Sequence, residues 1–124
     1  MIRRLRELGY LFMDSKDRYV LNKIYAHIVS VLKYCENANS LEDFNKDNMR
    51  VEACVFNLMQ IGELAKVSLS EEIKSQITSI PWKQIYGMRN RIVHGYEGVE
   101  MKIVWDTIKM DLPLLKAELE KYIN

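Results

Sequence analysis

The sequence predicts an all-α protein, an up-and-down bundle of four main helices plus one short extra helix. Three observations carry that reading. Apolar residues recur at spacings of three and four along most of the 124 residues, as they do in helices with one buried face. Only five glycines and two prolines punctuate the chain, so strong breakers are few. No segment alternates with period two over a useful length, which leaves no strand candidate. The length suits one domain rather than two, and 48% hydrophobic residues suffice for a single packed core without staples.

Residues 1–13 read as a basic N-terminal extension, carrying Arg3, Arg4 and Arg6, ahead of a helical domain over residues 14–124. The extension has neither a long apolar run nor a small-residue cleavage site, so it is not a secretory signal. A mobile arm, an extra helical turn and a translated stretch ahead of a start near Met13 all remain open. The first long helix is expected from about Lys16 to Tyr34, with Leu21, Ile24, Ile28, Val31, Leu32 and Cys35 on one face. Asn37 to Ser40 breaks the pattern; Ser40 with Asp43 resembles a cap for a short turn, and Asn45 to Asn48 offers a second start.

The second long helix should run from about Asp47 to Val67 on a stripe of Val51, Cys54, Val55, Leu58, Ile61, Gly62 and Ala65. The small residues near its end would let another helix come close. Ser68 with Glu71 has the spacing of a capping box for a short helix to about Gln76. Pro81 suits the first turn of the next helix, which continues through Ile85, Met88, Ile92 and Val93. Gly95 and Gly98 interrupt it. The last helix begins near Glu100 and carries Val104, Ile108, Leu112, Leu115 and Leu119. Pro113 lies inside it and should bend the helix without ending it, because the apolar period resumes.

Charge narrows the function classes. Eighteen basic and seventeen acidic side chains leave a net charge of +1, against a DNA-coating protein or a polybasic membrane binder. RNA remains open, since an enzyme needs only a local basic pocket. Apolar runs of a few residues cannot span a membrane. Cys35 and Cys54 sit in helix-patterned apolar stretches without CxxC or Cys/His spacing and read as buried small hydrophobes. A reducing, cytoplasmic compartment is the corresponding expectation.

There is no Gly-rich phosphate loop, no HExxH, no GxSxG and no zinc spacing. Of the two histidines, His27 falls among apolar neighbours in the first helix and reads as packing or a structural hydrogen bond. His94 keeps different company, in the run Met88-Arg89-Asn90-Arg91-Ile92-Val93-His94-Gly95-Tyr96-Glu97-Gly98. On a straight helix Arg89 and His94 diverge by about 140°, at roughly 100° per residue. They converge on one ligand if the helix ends at His94, as Gly95 suggests, or if a second subunit supplies the other half. A polar helix end with a surface arginine is the bland alternative.

Arg89, four residues, His94, one residue and Tyr96 match the RX4HXY motif of the HepT-like branch of HEPN proteins, which the chain resembles from roughly Asp14 to its C-terminus. The flanks resemble that family too: Asn57-Leu58-Met59-Gln60-Ile61-Gly62-Glu63-Leu64-Ala65-Lys66 is similar to its second-helix signature. Ile80-Pro81-Trp82 stands at the usual distance ahead of the motif. Gly98-Val99, Val104-Trp105 and Asp111-Leu112-Pro113 follow it.

The resemblance implies a metal-independent ribonuclease, without cofactors, that is the toxin of a type VII-like toxin–antitoxin pair and acts on tRNA or mRNA, with no DNA or membrane partner. Its catalytic residues would be Arg89, Asn90 and His94. His94 would exchange protons near neutral pH, and Arg89 would bind the phosphate attacked by the substrate's 2′-OH. Asn90 would orient the phosphate or the imidazole. It also implies a homodimer with two motifs facing a shared cleft. A minimal nucleotidyltransferase antitoxin would transfer AMP to Tyr96. The alternative from another class is a non-catalytic HEPN subunit that binds and regulates a nucleotidyltransferase.

Overall fold

The computed structural model describes residues 13–94 and 101–123, with only the helical backbone of Val93 and His94. Among them every regular element is helical and no strand occurs. In chain order these are α1 (Ser15–Tyr34), α2 (Leu41–Asn45), α3 (Asn48–Glu63), α4 (Glu71–Gln76), α5 (Trp82–His94), α6 (Met101–Asp106) and α7 (Leu112–Leu119). A π-helical turn, Leu64–Ser68, extends α3, and a second, Thr107–Asp111, joins α6 to α7. The described residues are thus all-helical as expected, and two short helices, α2 and α4, stand where one was expected. The Ser40 turn closes into α2 because the Ser40 hydroxyl accepts from the Asp43 N–H at 3.1 Å.

Side-chain caps also fix the starts of α1 and α3. Asp14 accepts from the Asp17 N–H at 2.8 Å ahead of α1, and Asp47 accepts from the Arg50 N–H at 3.2 Å ahead of α3. The short helix α4 departs from expectation. Its N-cap is Ser70, whose hydroxyl accepts from the Ile73 N–H at 3.2 Å, and not Ser68. Ser68 cannot serve because it is still wound into the π-helical turn, which closes when the Leu69 N–H donates to the Leu64 carbonyl at 2.9 Å. The chain first becomes extended after that bond. Pro113, lacking an N–H, falls at the start of α7 directly after the second π-helical turn. The wider turn keeps the chain helical across the proline, in line with the expected continuation.

Helix α3 packs on both α1 and α5, and α1 packs on α7. The core between them holds Leu21, Ile24, Ile28 and Val31 of α1, Cys54, Leu58 and Ile61 of α3, Ile92 of α5, and Val104, Ile108 and Leu119 from the last span. Phe44 of α2 is fully buried and meets the Trp105 ring with centroids 5.4 Å apart. No helix among the described residues is long and apolar enough to cross a membrane.

Two polar ties lock the joint after α3. Lys74 is buried, and its ammonium donates to the Ala65 and Lys66 carbonyls at 2.8 and 3.4 Å, occupying acceptors at the π-helical turn. Burial opposes the charge, yet Tyr86 and Glu71 hold the Lys74 pKa above the ordinary lysine value. Asp17, also buried, accepts from the Ser70 N–H at 2.9 Å and the Ser70 hydroxyl at 2.5 Å. Ser70 therefore caps α4 and satisfies a buried carboxylate of α1 at once.

Ser70→Ala removes an N-cap worth about 1 kcal/mol and a hydrogen bond to a buried charge worth roughly 1.5–3 kcal/mol. We expect urea unfolding to show a loss of about 2–4 kcal/mol from those two effects, whereas Ser75→Ala on the exposed side of α4 changes stability by less than about 0.5 kcal/mol.

Candidate active site

The candidate site is built where α5 crosses the end of α3. Gly62 lies against Arg89 so closely that a Cβ added at Gly62 would stand 2.8 Å from Cγ of Arg89 and overlap its Cβ. Only a residue without a side chain permits that crossing. The anticipated role of the small residues at the end of α3 is thus realised at Gly62.

From this crossing the Arg89 guanidinium reaches two partners. Its Nη2 forms an ion pair with Oε2 of Glu63 at 2.6 Å, and its Nη1 donates to Oδ1 of Asn90 at 3.0 Å. The Arg89 side chain keeps 23% of its surface exposed and Glu63 keeps 44%. The pair orients the guanidinium, because Glu63 and Asn90 hold its two terminal nitrogens. The planar fork carries five N–H donors, more than its two partners among the described residues occupy.

Of the sequence-predicted residues, Arg89 and Asn90 are therefore in direct contact. The arginine is the partner the sequence did not suggest for Asn90, which had been expected to orient a phosphate or an imidazole. His94 is the last described residue of α5, and Gly95, where a break was expected, lies outside the described residues. Five residues on one helix separate the positions of Arg89 and His94 by about 140° and about 7.5 Å of rise. The His94 side chain and Tyr96 lie outside the described residues. Arg91 is exposed on the same helix.

Sequence reasoning missed Glu63 as a site residue. It stands inside the second-helix run quoted above, but its contact crosses to another helix, and no local spacing announces that.

The remaining candidates resolve as structural. His27 Nδ1 lies 2.7 Å from Oδ1 of Asn57, whose amide Nδ2 donates to the Ala53 carbonyl at 2.7 Å. With Oδ1 left to accept, the imidazole proton sits on Nδ1, and His27 ties α1 to α3. Cys35 and Cys54 are both buried, with Sγ atoms 3.5 Å apart. The hydrogen bond with Cys35, together with burial, pushes the Cys54 thiol up and out of the reactive range.

The chain has relatives among known proteins. The family model described as "Ribonuclease HepT-like" matches residues 24–122. A protein of Caldanaerobacter subterraneus subsp. tengcongensis named "Putative RNase TTE0752" is 34% identical over 104 residues, which are 79% of this chain and 92% of that one. "Probable ribonuclease HepT" of Thermococcus cleftensis is 36% identical over 80 residues, 64% of this chain and 72% of that one. "Putative RNase MJ1216" of Methanocaldococcus jannaschii is 32% identical over 113 residues, 90% of this chain and 92% of that one. No solved structure matches the chain.

The two glycines of this region make opposite predictions. At Gly62 the overpacking cost of a new methyl, about 1–3 kcal/mol, exceeds the roughly 1 kcal/mol of helix propensity gained by alanine. Gly62→Ala should lower the thermal unfolding midpoint. A Cβ at Gly87 on α5 meets nothing within 4 Å among the described residues, so Gly87→Ala should raise the midpoint, by the equivalent of up to about 1 kcal/mol.

Proposed function

We propose, from the premise that this chain belongs to the HepT-like ribonuclease family, that it is a metal-independent ribonuclease toxin acting on RNA through Arg89, Asn90 and His94. The observation that carries the reading is the Arg89 guanidinium, held by Glu63 and Asn90 with donors to spare among the described residues, on the helix that carries His94. Arginine so held suits a phosphodiester: a planar, permanently charged fork offsets charge growing on the non-bridging oxygens.

The chemistry follows from the residue types. A neutral histidine takes the proton of the substrate's 2′-OH, and that oxygen attacks the adjacent phosphorus. The bond from phosphorus to the 5′-oxygen breaks, and a protonated histidine gives that oxygen its proton. The products are a 2′,3′-cyclic phosphate and a free 5′-OH. One imidazole cannot be base and acid in the same step, so a second proton carrier is needed, and a second His94 is the candidate.

A homodimer supplies the second. Support comes from α3, where Met49 and Phe56 are exposed at 81% and 56% and fall seven residues apart on the stripe that reaches Glu63. These side chains give a partner helix two apolar points of contact, and a twofold pairing there would bring two Arg89–Glu63 pairs together.

Tyr96, two residues beyond His94, is the proposed acceptor of AMP from a minimal nucleotidyltransferase antitoxin. An adenylate at that position would bring a phosphate within reach of Arg89 and imitate the substrate.

The test is cleavage of total tRNA and mRNA by purified protein in excess EDTA. Wild type should cleave, while Arg89→Ala and His94→Ala should each lose at least about 100-fold in rate, the scale of a removed oxyanion donor or proton carrier. A wild-type protein free of AMP that leaves all RNA intact would instead support a regulatory subunit of the transferase. Incubation with the transferase and ATP should add whole adenylate masses to wild type and none to Tyr96→Phe. Phe56→Glu should shift the mass in solution from dimer to monomer and abolish cleavage.

A further inference from the structure

Glu63 is a carboxylate placed at the position where an RNA-cleaving protein would be expected to gather positive charge. Its oxygen stands 2.6 Å from Nη2 of Arg89, and nearly half of its surface faces solvent. Whatever the pair adds to stability, its geometry fixes the direction of the Arg89 fork. It is not accidental packing: Gly62, the residue before Glu63, is what lets α5 come close enough for the two charges to meet. Asn90 takes the other terminal nitrogen of the same guanidinium. The fork is thereby gripped at both terminal nitrogens.

We propose that Glu63 is a positioning residue for the nuclease site, orienting Arg89 towards the scissile phosphate while weakening RNA binding by its negative charge. This rests on the ribonuclease reading. The two effects act in opposite directions on two observables. As an acceptor, Glu63 removes the torsional freedom of Arg89, which matters for the reaction because misplacement of a catalytic group is costly in rate. As a charge near the phosphate, it repels the substrate in ground state and transition state alike, which affects affinity. A residue that only held the fold together would shift stability and leave the affinity of the folded protein unchanged.

Two substitutions separate the roles. Glu63→Gln keeps an oxygen beside Nη2 and removes the charge; Glu63→Ala removes both. Binding would be read by fluorescence anisotropy with a 2′-O-methyl RNA that cannot be cleaved, and turnover with the matching RNA at saturation. Both variants should bind the non-cleavable RNA about threefold more tightly, the scale of one partly screened charge. In Glu63→Gln kcat should stay within about threefold of wild type, while in Glu63→Ala it should fall about tenfold or more, as expected for a loosened catalytic group.

Unchanged affinity in Glu63→Gln, or an unchanged kcat in Glu63→Ala, overturns the proposal. Should Glu63→Ala not fold, Glu63→Gln decides alone: tighter binding with kcat preserved supports it, and wild-type affinity overturns it. Should wild type cleave no RNA, the ribonuclease reading fails. The anisotropy arm then judges Glu63 separately, tighter binding supporting the contact with a phosphate at Arg89 and equal binding removing it.

Discussion

The backbone of Gly62 and the side-chain root of Arg89 occupy adjoining space where α3 crosses α5, and the rest of the candidate site depends on that contact. With the two helices this close, the carboxylate at position 63 and the guanidinium at position 89 come within 2.6 Å. A bulkier residue at position 62 would lift α5 and move Arg89 from its partners. The chemistry proposed for Arg89 therefore begins with the absence of a side chain on a different helix.

That crossing is itself held in place from behind. The Asp17–Ser70 contact ties α1 to the chain just after α3, and Lys74 occupies carbonyls at the π-helical turn ending that span. Buried polar groups of this kind are satisfied within the fold, and each would be costly to strand. His27 adds a link from α1 to α3 through Asn57. The outcome is a fixed α3, against which α5 can present its arginine in one orientation.

Much of this was legible in the sequence, for identifiable reasons. The helix stripes show because burial imposes a 3.6-residue period: Leu21, Ile24, Ile28, Val31 and Cys35 are buried as that period requires. The caps at Ser40 and Asp47 show because their bonds are local. The cap at Ser70 did not, since Ser68 has the same chemistry and better spacing to Glu71, and only the π-helical turn disqualifies it. Arg89, Asn90 and His94 were named from a motif on one helix, within the reach of sequence spacing. Glu63 was not, because its contact with Arg89 joins two helices 26 residues apart in the chain. The closeness of the Cys35 and Cys54 sulfurs was hidden for the same reason.

In the proposed function the Arg89 fork, oriented from α3, grips the phosphate of an RNA substrate. A crystal structure of the protein with a 2′-O-methyl RNA tests it most directly. The claim predicts the phosphate at the modified nucleotide within hydrogen-bonding distance of the Arg89 guanidinium, with Glu63 still on Nη2. A complex in which the RNA lies elsewhere, with no phosphate near Arg89, would contradict it.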